Sequence, residues 1–209
     1  MDIRVIHNFL EVILIIVSSL IATRAFLLYV QIRGERIFII GLAISIIALT
    51  SLVGLISDNS LFSIHYNVNW FKYTGQTTSF FFIFLSTIRS TDHYLRRVMH
   101  GHIAATSLLL LLLLLSPILP GFPDPITEAI FSGSRAVICF ITFYCYVSLF
   151  VGKETRYTFL MGLAFLLMAF GYILLLPHLF IPQINSLGNT GNFVRSIGLG
   201  SLLIAMLRG

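Results

Sequence analysis

The sequence predicts an all-α integral membrane protein, a single bundle of seven transmembrane helices with its N-terminus outside the cell and its C-terminus in the cytoplasm. Of the 209 residues, 57% are hydrophobic and 10% are charged, whereas water-soluble globular proteins carry about 25% charged residues. A crossing needs roughly 20 apolar residues, so residues 1–209 accommodate about seven helices and form one domain. This composition excludes a cytosolic enzyme and a nucleic-acid-binding domain.

Seven apolar stretches are long enough to span a bilayer, and charged residues, glycine or proline bound each of them. The stretches are continuously apolar, which favours helices, because the strands of a membrane barrel alternate polar and apolar residues. The predicted spans cover residues 7–31, 36–57, 69–90, 102–121, 128–152, 159–182 and 191–207.

The first four spans differ in their boundaries and polarity. The first contains Glu11, and its alternative interpretation is a secretory signal peptide, because small residues follow an apolar core at 22–25. Arg36 opens the second span. Tyr66, Trp70 and Tyr73 cluster at the start of the third span and are predicted to form an interfacial aromatic belt. The fourth contains the leucine run 108–115, which has no polar face, so we expect it to face lipid.

The last three spans combine apolar side chains with glycine and proline. Glu128 opens the fifth span, and Pro177 lies in the sixth, where we expect it to kink or end the helix. The seventh span is the shortest. Small residues in the last two spans permit the close approach of helices that membrane proteins use in packing: Gly162, Gly171, Gly198, Gly200 and Ala205.

The distribution of Lys and Arg between the loops predicts the orientation. These residues resist translocation and therefore stay in the cytoplasm. The loops after the second, fourth and sixth spans carry none of them, and Arg4 on the predicted outer tail is the exception to the pattern. The loops after the first, third and fifth spans carry a basic excess: Arg33, Arg36, Arg89, Arg96, Arg97, Lys153 and Arg156.

Polar side chains occur at a similar depth in four of the spans, in the outer half of the membrane. Ionisable groups within a span cost about 2.5–3.5 kcal/mol on insertion scales, so they usually face the interior of the bundle. Three cations oppose one carboxylate, which leaves an excess of two positive charges. We therefore predict a cationic ligand pocket formed by His7, Glu11, Lys72, Gln76, Arg135, Asn192 and Arg195.

Such a pocket suits a carboxylate, a phosphate headgroup or a quinone-like ring, held by guanidinium forks and side-chain amides. In this hypothesis Glu11 pairs with one of the arginines and orients it. Two other interpretations use the same residues. Arg135 and Glu11 form an interhelical ion pair that only fixes packing, or Lys72 and Arg195 extend to the lipid headgroups.

Histidines raise the question of a haem or a metal. His7 and His178 are the one outer pair suited to the axial ligation of a b-type haem. A metal hydrolase would add Glu11 and Asp58 to this pair, but no HExxH motif supports one. The other three histidines, His93, His100 and His102, lie in a predicted basic inner loop, which we expect to contact anionic membrane lipid or a partner subunit.

Motifs of common catalytic sites are missing from the sequence. It contains no GxSxG, Walker, GxGxxG or CxxC pattern. We therefore expect a protein that is not an enzyme, with no catalytic residues, no bound metal and no required cofactor.

Four short segments resemble a known family. They are the HNFLEV segment at 7–12, RIFIIGLA at 36–43, NSLGN at 185–189 and FVRS at 193–196. Together they resemble the third class of membrane-associated sensor domain, multi-helix modules that precede histidine kinase or diguanylate cyclase domains in bacteria and archaea. The resemblance implies ligand sensing at a plasma membrane, with His7, Glu11, Asn185 and Arg195 at the polar positions of the family.

The leading functional hypothesis is a non-enzymatic binding module of sensor type with an outer-leaflet pocket. The sequence ends at Gly209 without an output domain, so we expect the signal to pass to a separate cytoplasmic protein or to other membrane subunits. The alternative is an accessory subunit of a respiratory or other energy-converting complex that contacts quinone, lipid or haem. Two hypotheses remain. One is a transporter, although the sequence shows no inverted repeat, and the other is an intramembrane enzyme that depends on His7 and His178.

Overall fold

The structure, a computed structural model, describes the backbone of residues 3–58, 67–88, 91–121, 125–180 and 185–208. These residues form seven helices and no strand, which confirms the all-α prediction for this part of the chain. The helices are α1 (Ile3–Ile32), α2 (Glu35–Asp58), α3 (Asn69–Ile88), α4 (Asp92–Leu114), α5 (Pro125–Lys153), α6 (Arg156–Phe180) and α7 (Asn185–Arg208).

Six of the seven helices are long and apolar enough to cross a membrane, as in a multi-pass membrane protein. The exception is α3, which has 20 residues and is therefore about 30 Å long at 1.5 Å per residue. Its length suffices for a crossing, but a polar stretch lowers its hydropathy. The polar residues of this stretch are Lys72, Tyr73, Thr74, Gln76, Thr77, Thr78 and Ser79. The seventh span and the orientation stay predictions.

Six helices close into a ring. Each of α1, α2, α3, α5, α6 and α7 packs against the next in that order, and α7 packs against α1. Helix α4 lies outside this ring, against α2 and α3. We call the end of the bundle where α1 begins the N-side and the end where α7 finishes the C-side.

The interior of the ring holds one apolar core to which all six helices contribute. Each helix turns fully buried side chains into it. Dispersion contacts between such closely packed atoms stabilise helix association in lipid, where there is no hydrophobic driving force between helices. One member from each ring helix shows the extent of the core: Ile21, Ile44, Ile83, Cys139, Met168 and Leu202.

Short turns on the C-side hold two pairs of neighbouring helices antiparallel. Arg33 and Glu154 adopt left-handed backbone conformations, with φ of 54° and 47°. Their amides bond to the carbonyls of Tyr29 and Phe150, four residues earlier, which closes the last turns of α1 and α5. The side chain of Thr155 then accepts a hydrogen bond from the amide of Thr158 and caps α6.

Helix α4 begins ten residues before the predicted span 102–121 and ends at Leu114. The segment that we interpreted as a basic inner loop is therefore helical, and His102 is 1% exposed and stacks on Phe82. The segment is amphipathic, and Leu95 and Val98 on its apolar face pack against α2. Its polar face interrupts the apolar run in the sequence, and the prediction from apolar runs therefore missed this part of the helix. Within the leucine run, most side chains are exposed, as expected for a face in contact with lipid.

Helices α6 and α7 approach so closely that glycine is required at three positions, and at one of them, Gly191, a Cβ atom would lie 2.8 Å from the carbonyl oxygen of Gly171. A Cβ atom at Gly171 would lie 2.8 Å from the carbonyl oxygen of Gly191, and one at Gly198 would lie 3.0 Å from that of Ala164. Gly171 and Gly198 were predicted to permit close packing. Gly200, from the same predicted set, has no atom within 4 Å of such a position. Pro177 does not end α6, which continues to Phe180.

We expect the Gly171→Ala substitution to lower the free energy of unfolding by about 1–3 kcal/mol, because the added methyl group overpacks a backbone contact. Gly200→Ala is the matched control and should leave stability unchanged or slightly improved, since alanine favours a helix. Unfolding of the purified chain in detergent, followed by circular dichroism, measures both. Equal stabilities of the two variants would contradict the close packing of α6 on α7.

Candidate functional site

Polar side chains from five helices meet at one level on the N-side of the ring. Gln76, Arg135 and Arg195 follow the first residues of α3, α5 and α7 by seven to ten positions, a depth of about 10–15 Å at 1.5 Å per residue. Thr50 and Tyr172 lie eight positions before the ends of α2 and α6. The alternating directions of the helices therefore bring these five residues to the same depth.

Arg135 is the charged centre of the site and is 3% exposed. Its Nε donates to the carbonyl oxygen of Phe131 at 3.2 Å, and its Nη2 donates to Ser132 Oγ at 2.7 Å. Both acceptors belong to the preceding turn of α5. The third bond crosses to α3, where Nη1 donates to Gln76 Oε1.

Gln76 orients the guanidinium and links it to α2. Its amide oxygen accepts from Arg135 and from the Tyr172 hydroxyl, the latter at 3.5 Å. Its amide nitrogen donates to Thr50 Oγ1 at 3.3 Å, and that hydroxyl donates to the carbonyl oxygen of Ile47 at 2.8 Å. The amide therefore has one consistent orientation, with its oxygen towards the cation.

Two guanidinium groups share the aromatic ring of Tyr172. The Cζ atoms of Arg135 and Arg195 lie 4.6 Å and 4.4 Å from its centroid, within the range of cation–π attraction. Arg135 also lies 5.1 Å from the ring of Tyr73, and Arg195 donates to Asn192 Oδ1 at 3.1 Å. We call these six residues the Tyr172 cluster: Tyr73, Gln76, Arg135, Tyr172, Asn192 and Arg195.

The expected pairing of Glu11 with an arginine is wrong. Its carboxylate lies 3.5 Å from the Nζ of Lys72, although α1 does not pack against α3. The lysine reaches Glu11 past Gly54 of α2, where a Cβ atom would lie 3.3 Å from Nζ. The missing side chain of Gly54 thus provides the space for this ion pair.

The Tyr172 cluster has an excess of positive charge. Among the residues that the structure describes, neither Arg135 nor Arg195 forms an ion pair. The two guanidinium groups also repel each other, since they are like charges that lie against one ring. Neutral oxygens and aromatic faces attract these cations but do not cancel their charge.

Unused hydrogen-bond donors accompany this charge. A guanidinium has five N–H donors. Within the described part of the chain, Arg135 uses three of them and Arg195 uses one. The remaining donors of both groups suit the bidentate acceptors of a carboxylate or a phosphate.

The structure brings together four of the seven predicted ligand-binding residues, namely Gln76, Arg135, Asn192 and Arg195. Glu11 and Lys72 form a separate ion pair one turn nearer the N-side, since Lys72 precedes Gln76 by four residues on α3. The side chain of His7 lies outside the described residues.

The haem and metal hypotheses depend on His7, Asp58 and His178, and the side chains of these three residues lie outside the described part of the structure. Within the side chains that are described, no group of three or more His, Cys, Asp or Glu residues is placed to hold a metal ion.

Two aromatic members of the cluster escaped the sequence prediction. Tyr172 is the one tyrosine between Phe159 and Pro177, in an otherwise apolar helix with no charged residue in that stretch. A single phenol in such an apolar span was the sequence feature that could have indicated a polar role for Tyr172. Tyr73 was interpreted as part of an interfacial belt, but its ring contacts Arg135 and its hydroxyl donates to Glu128.

Comparisons with protein-family models, with curated proteins and with solved structures found no match. The charge, burial and hydrogen bonds of the Tyr172 cluster are therefore the basis for a functional proposal.

The Gln76→Leu substitution should lower the free energy of unfolding by about 1.5–3 kcal/mol, because it removes the acceptor of a buried charged donor. The same substitution in an Arg135→Leu chain should cost much less, since the charge that needs the acceptor is gone. Unfolding of the four chains forms a double-mutant cycle. Equal costs in the two backgrounds would show that Gln76 does not support Arg135.

Proposed function

We propose that this chain is a membrane binding module of sensor type, without enzymatic activity, whose Tyr172 cluster binds the carboxylate or phosphate group of a small or lipid-like ligand. One observation carries the proposal. Arg135 and Arg195 share the ring of Tyr172, retain unused N–H donors and form no ion pair among the described residues.

A buried cation without a counter-ion is costly, so an anion between the two arginines would stabilise the cluster in two ways. It would supply acceptors to the unused guanidinium donors, and it would cancel the repulsion between the cations. The ring of Tyr172 already holds both groups in place. Binding therefore needs little rearrangement of these side chains, which reduces its entropic cost.

Arg195 gives the ligand its route into the cluster. Arg135 is buried, whereas Arg195 is half-buried, so an anion would first meet Arg195 and then Arg135. The exposed arginines support an orientation with the N-side outside, because Arg33, Arg96, Arg97 and Arg156 all lie on the C-side. The ligand would then come from the outer leaflet or the extracytoplasmic space.

The proposal includes α3 as a seventh span. Its buried polar side chains, Gln76 and Ser79, turn towards the ring rather than towards lipid, so its low hydropathy reflects the site. A helix between α2 and α5 in a closed ring has the position of a spanning segment, since its neighbours are long enough to span.

Signalling would follow from the helices that the cluster joins. Arg135 belongs to α5, Tyr172 to α6 and Arg195 to α7, so an anion that bridges the arginines alters the packing of three neighbouring helices. The glycine contacts between α6 and α7 leave little freedom for independent movement. A joint shift of α6 and α7 against α5 would therefore reach the C-side, where a cytoplasmic partner detects it.

Thermal unfolding with succinate or inorganic phosphate tests the proposal, with sodium chloride at equal ionic strength as the reference. At about 100 times its dissociation constant, a bound anion should stabilise the purified full chain by about 2.7 kcal/mol. Arg135→Gln and Arg195→Gln should remove most of this stabilisation, because glutamine keeps polar character but lacks the charge.

Arg97→Gln is the matched control, since Arg97 is exposed on the C-side. This variant should respond to both anions like the unmodified chain. Identical responses of the control and the two cluster variants would show that the Tyr172 cluster does not bind the probes.

Labelling of single cysteines in intact cells should establish the orientation. Gly121→Cys and Glu154→Cys place thiols on the exposed N-side and C-side turns, in a chain whose Cys139 and Cys145 have been replaced. A membrane-impermeant maleimide should label position 121 directly and position 154 only after permeabilisation. The reverse pattern would place the Tyr172 cluster in the inner leaflet.

A further inference from the structure

Helix α4 has the most exposed surface among the helices that can span the membrane. Within the described part of the chain, it packs against α2 and α3 and no other helix. Over the apolar window of α4, 22% of the residues are buried, the smallest share among the six helices that are long and apolar enough to span. A long face of α4 is therefore available to a molecule from the bilayer.

The C-side end of α4 is held in one rotation by its contacts with the ring. The hydroxyl of Tyr94 donates to the carbonyl oxygen of Leu85 of α3 at 3.1 Å. Leu95 and Val98 are buried together with Ile39 of α2. Because these contacts fix one side of the helix, the opposite side has a defined position at the surface.

This outward side begins with polar residues. Arg97 and His100 are three residues apart, so they lie on the same face of the helix, and both are exposed. The Nδ1 of His100 donates to the carbonyl oxygen of Arg96 at 2.7 Å, which holds the imidazole ring against the preceding turn.

Arg97 keeps its charge free for a ligand. The neighbouring Arg96 lies 3.7 Å from Glu35 of α2. Asp92 precedes Arg96 by four residues and therefore lies beside Arg96 rather than beside Arg97. Among the residues that the structure describes, Arg97 forms no ion pair.

The same face continues as an apolar strip towards the middle of the bundle. Ala104, Leu108 and Leu111 follow His100 at steps of three or four residues, and all three are exposed. The eleven residues from Arg97 to Leu108 span about 16 Å at 1.5 Å per residue, which is close to half of a hydrocarbon layer about 30 Å thick. We call this face the α4 strip: Arg97, His100, Ala104, Leu108 and Leu111.

We propose that the α4 strip binds an anionic phospholipid of the leaflet on the C-side. The phosphate accepts hydrogen bonds from the guanidinium of Arg97, and one acyl chain lies along Ala104, Leu108 and Leu111. An acidic protein segment would match the cation but not the apolar continuation, so the combination favours a lipid. This inference does not rest on the Tyr172 cluster, which lies on the N-side.

The α4 strip is open to the bilayer, so its lipid exchanges with detergent and has to be added back to the purified chain. The test uses the full chain in detergent, with Arg195→Gln in every variant so that the Tyr172 cluster does not contribute. Phosphatidylglycerol and phosphatidylcholine with identical acyl chains are titrated separately. Thermal unfolding measures the apparent dissociation constant of each lipid.

We expect phosphatidylglycerol to bind more tightly than phosphatidylcholine. Arg97→Gln should raise the apparent dissociation constant of phosphatidylglycerol by about tenfold or more, because it removes the charged donors to the phosphate. Arg156→Gln is the matched control, since Arg156 is also exposed on the C-side and the substitution removes the same charge. This variant should keep the preference for phosphatidylglycerol.

Inorganic phosphate, compared with sodium chloride at equal ionic strength, should not displace the lipid, because it has no acyl chain to lie along the strip. For the same reason, Arg97→Gln remains a control for the binding of small anions by the Tyr172 cluster.

Equal affinities for the two lipids would overturn the inference, and so would displacement of the lipid by inorganic phosphate. Equal responses of Arg97→Gln and Arg156→Gln would reduce the effect to a general attraction of the basic side and would overturn it as well. Loss of a copurifying protein from the Arg97→Gln chain, with its lipid preference unchanged, would assign the α4 strip to a protein partner instead. The response of the Tyr172 cluster is measured separately, in chains with an intact Arg195.

Discussion

Arg135 carries a positive charge into the interior of a helical bundle, and the rest of the site depends on providing that charge with acceptors. Its own helix supplies two of them, and Gln76 supplies the third. Gln76 is in turn held by Thr50, and Tyr172 is held between the amide and two cations. Four helices, α2, α3, α5 and α6, therefore contribute groups to the network around one guanidinium. No ion pair within the described residues cancels its charge.

The ring of helices makes this arrangement possible. Helix α4 lies outside the ring, so that α3 contacts α5 directly and Gln76 can reach Arg135. Glycine positions have a similar role, since Gly54 leaves space for the Lys72 side chain and Gly171 lets Arg195 of α7 approach α6. Close backbone packing is the usual means by which membrane helices associate, and here it also brings charged side chains together.

Hydropathy in the sequence was sufficient to predict the helices, because long apolar runs have few alternatives in a bilayer. It failed for the first ten residues of α4, where a polar face masks an amphipathic helix. Depth alone predicted that Gln76, Arg135, Asn192 and Arg195 would meet. The partner of Glu11 was wrong because pairing depends on which helices are neighbours around the ring, and the sequence does not specify that order. Tyr172 was missed because its role comes from the cations on either neighbouring helix.

The most direct test of this account is native mass spectrometry of the full chain released gently from its own membrane. The account predicts that the chain carries a bound molecule with a carboxylate or phosphate group, and that a chain with both Arg135→Gln and Arg195→Gln lacks it. A bound anion that persists in the double variant, or an unmodified chain that carries none, would contradict the claim that the Tyr172 cluster is a binding site.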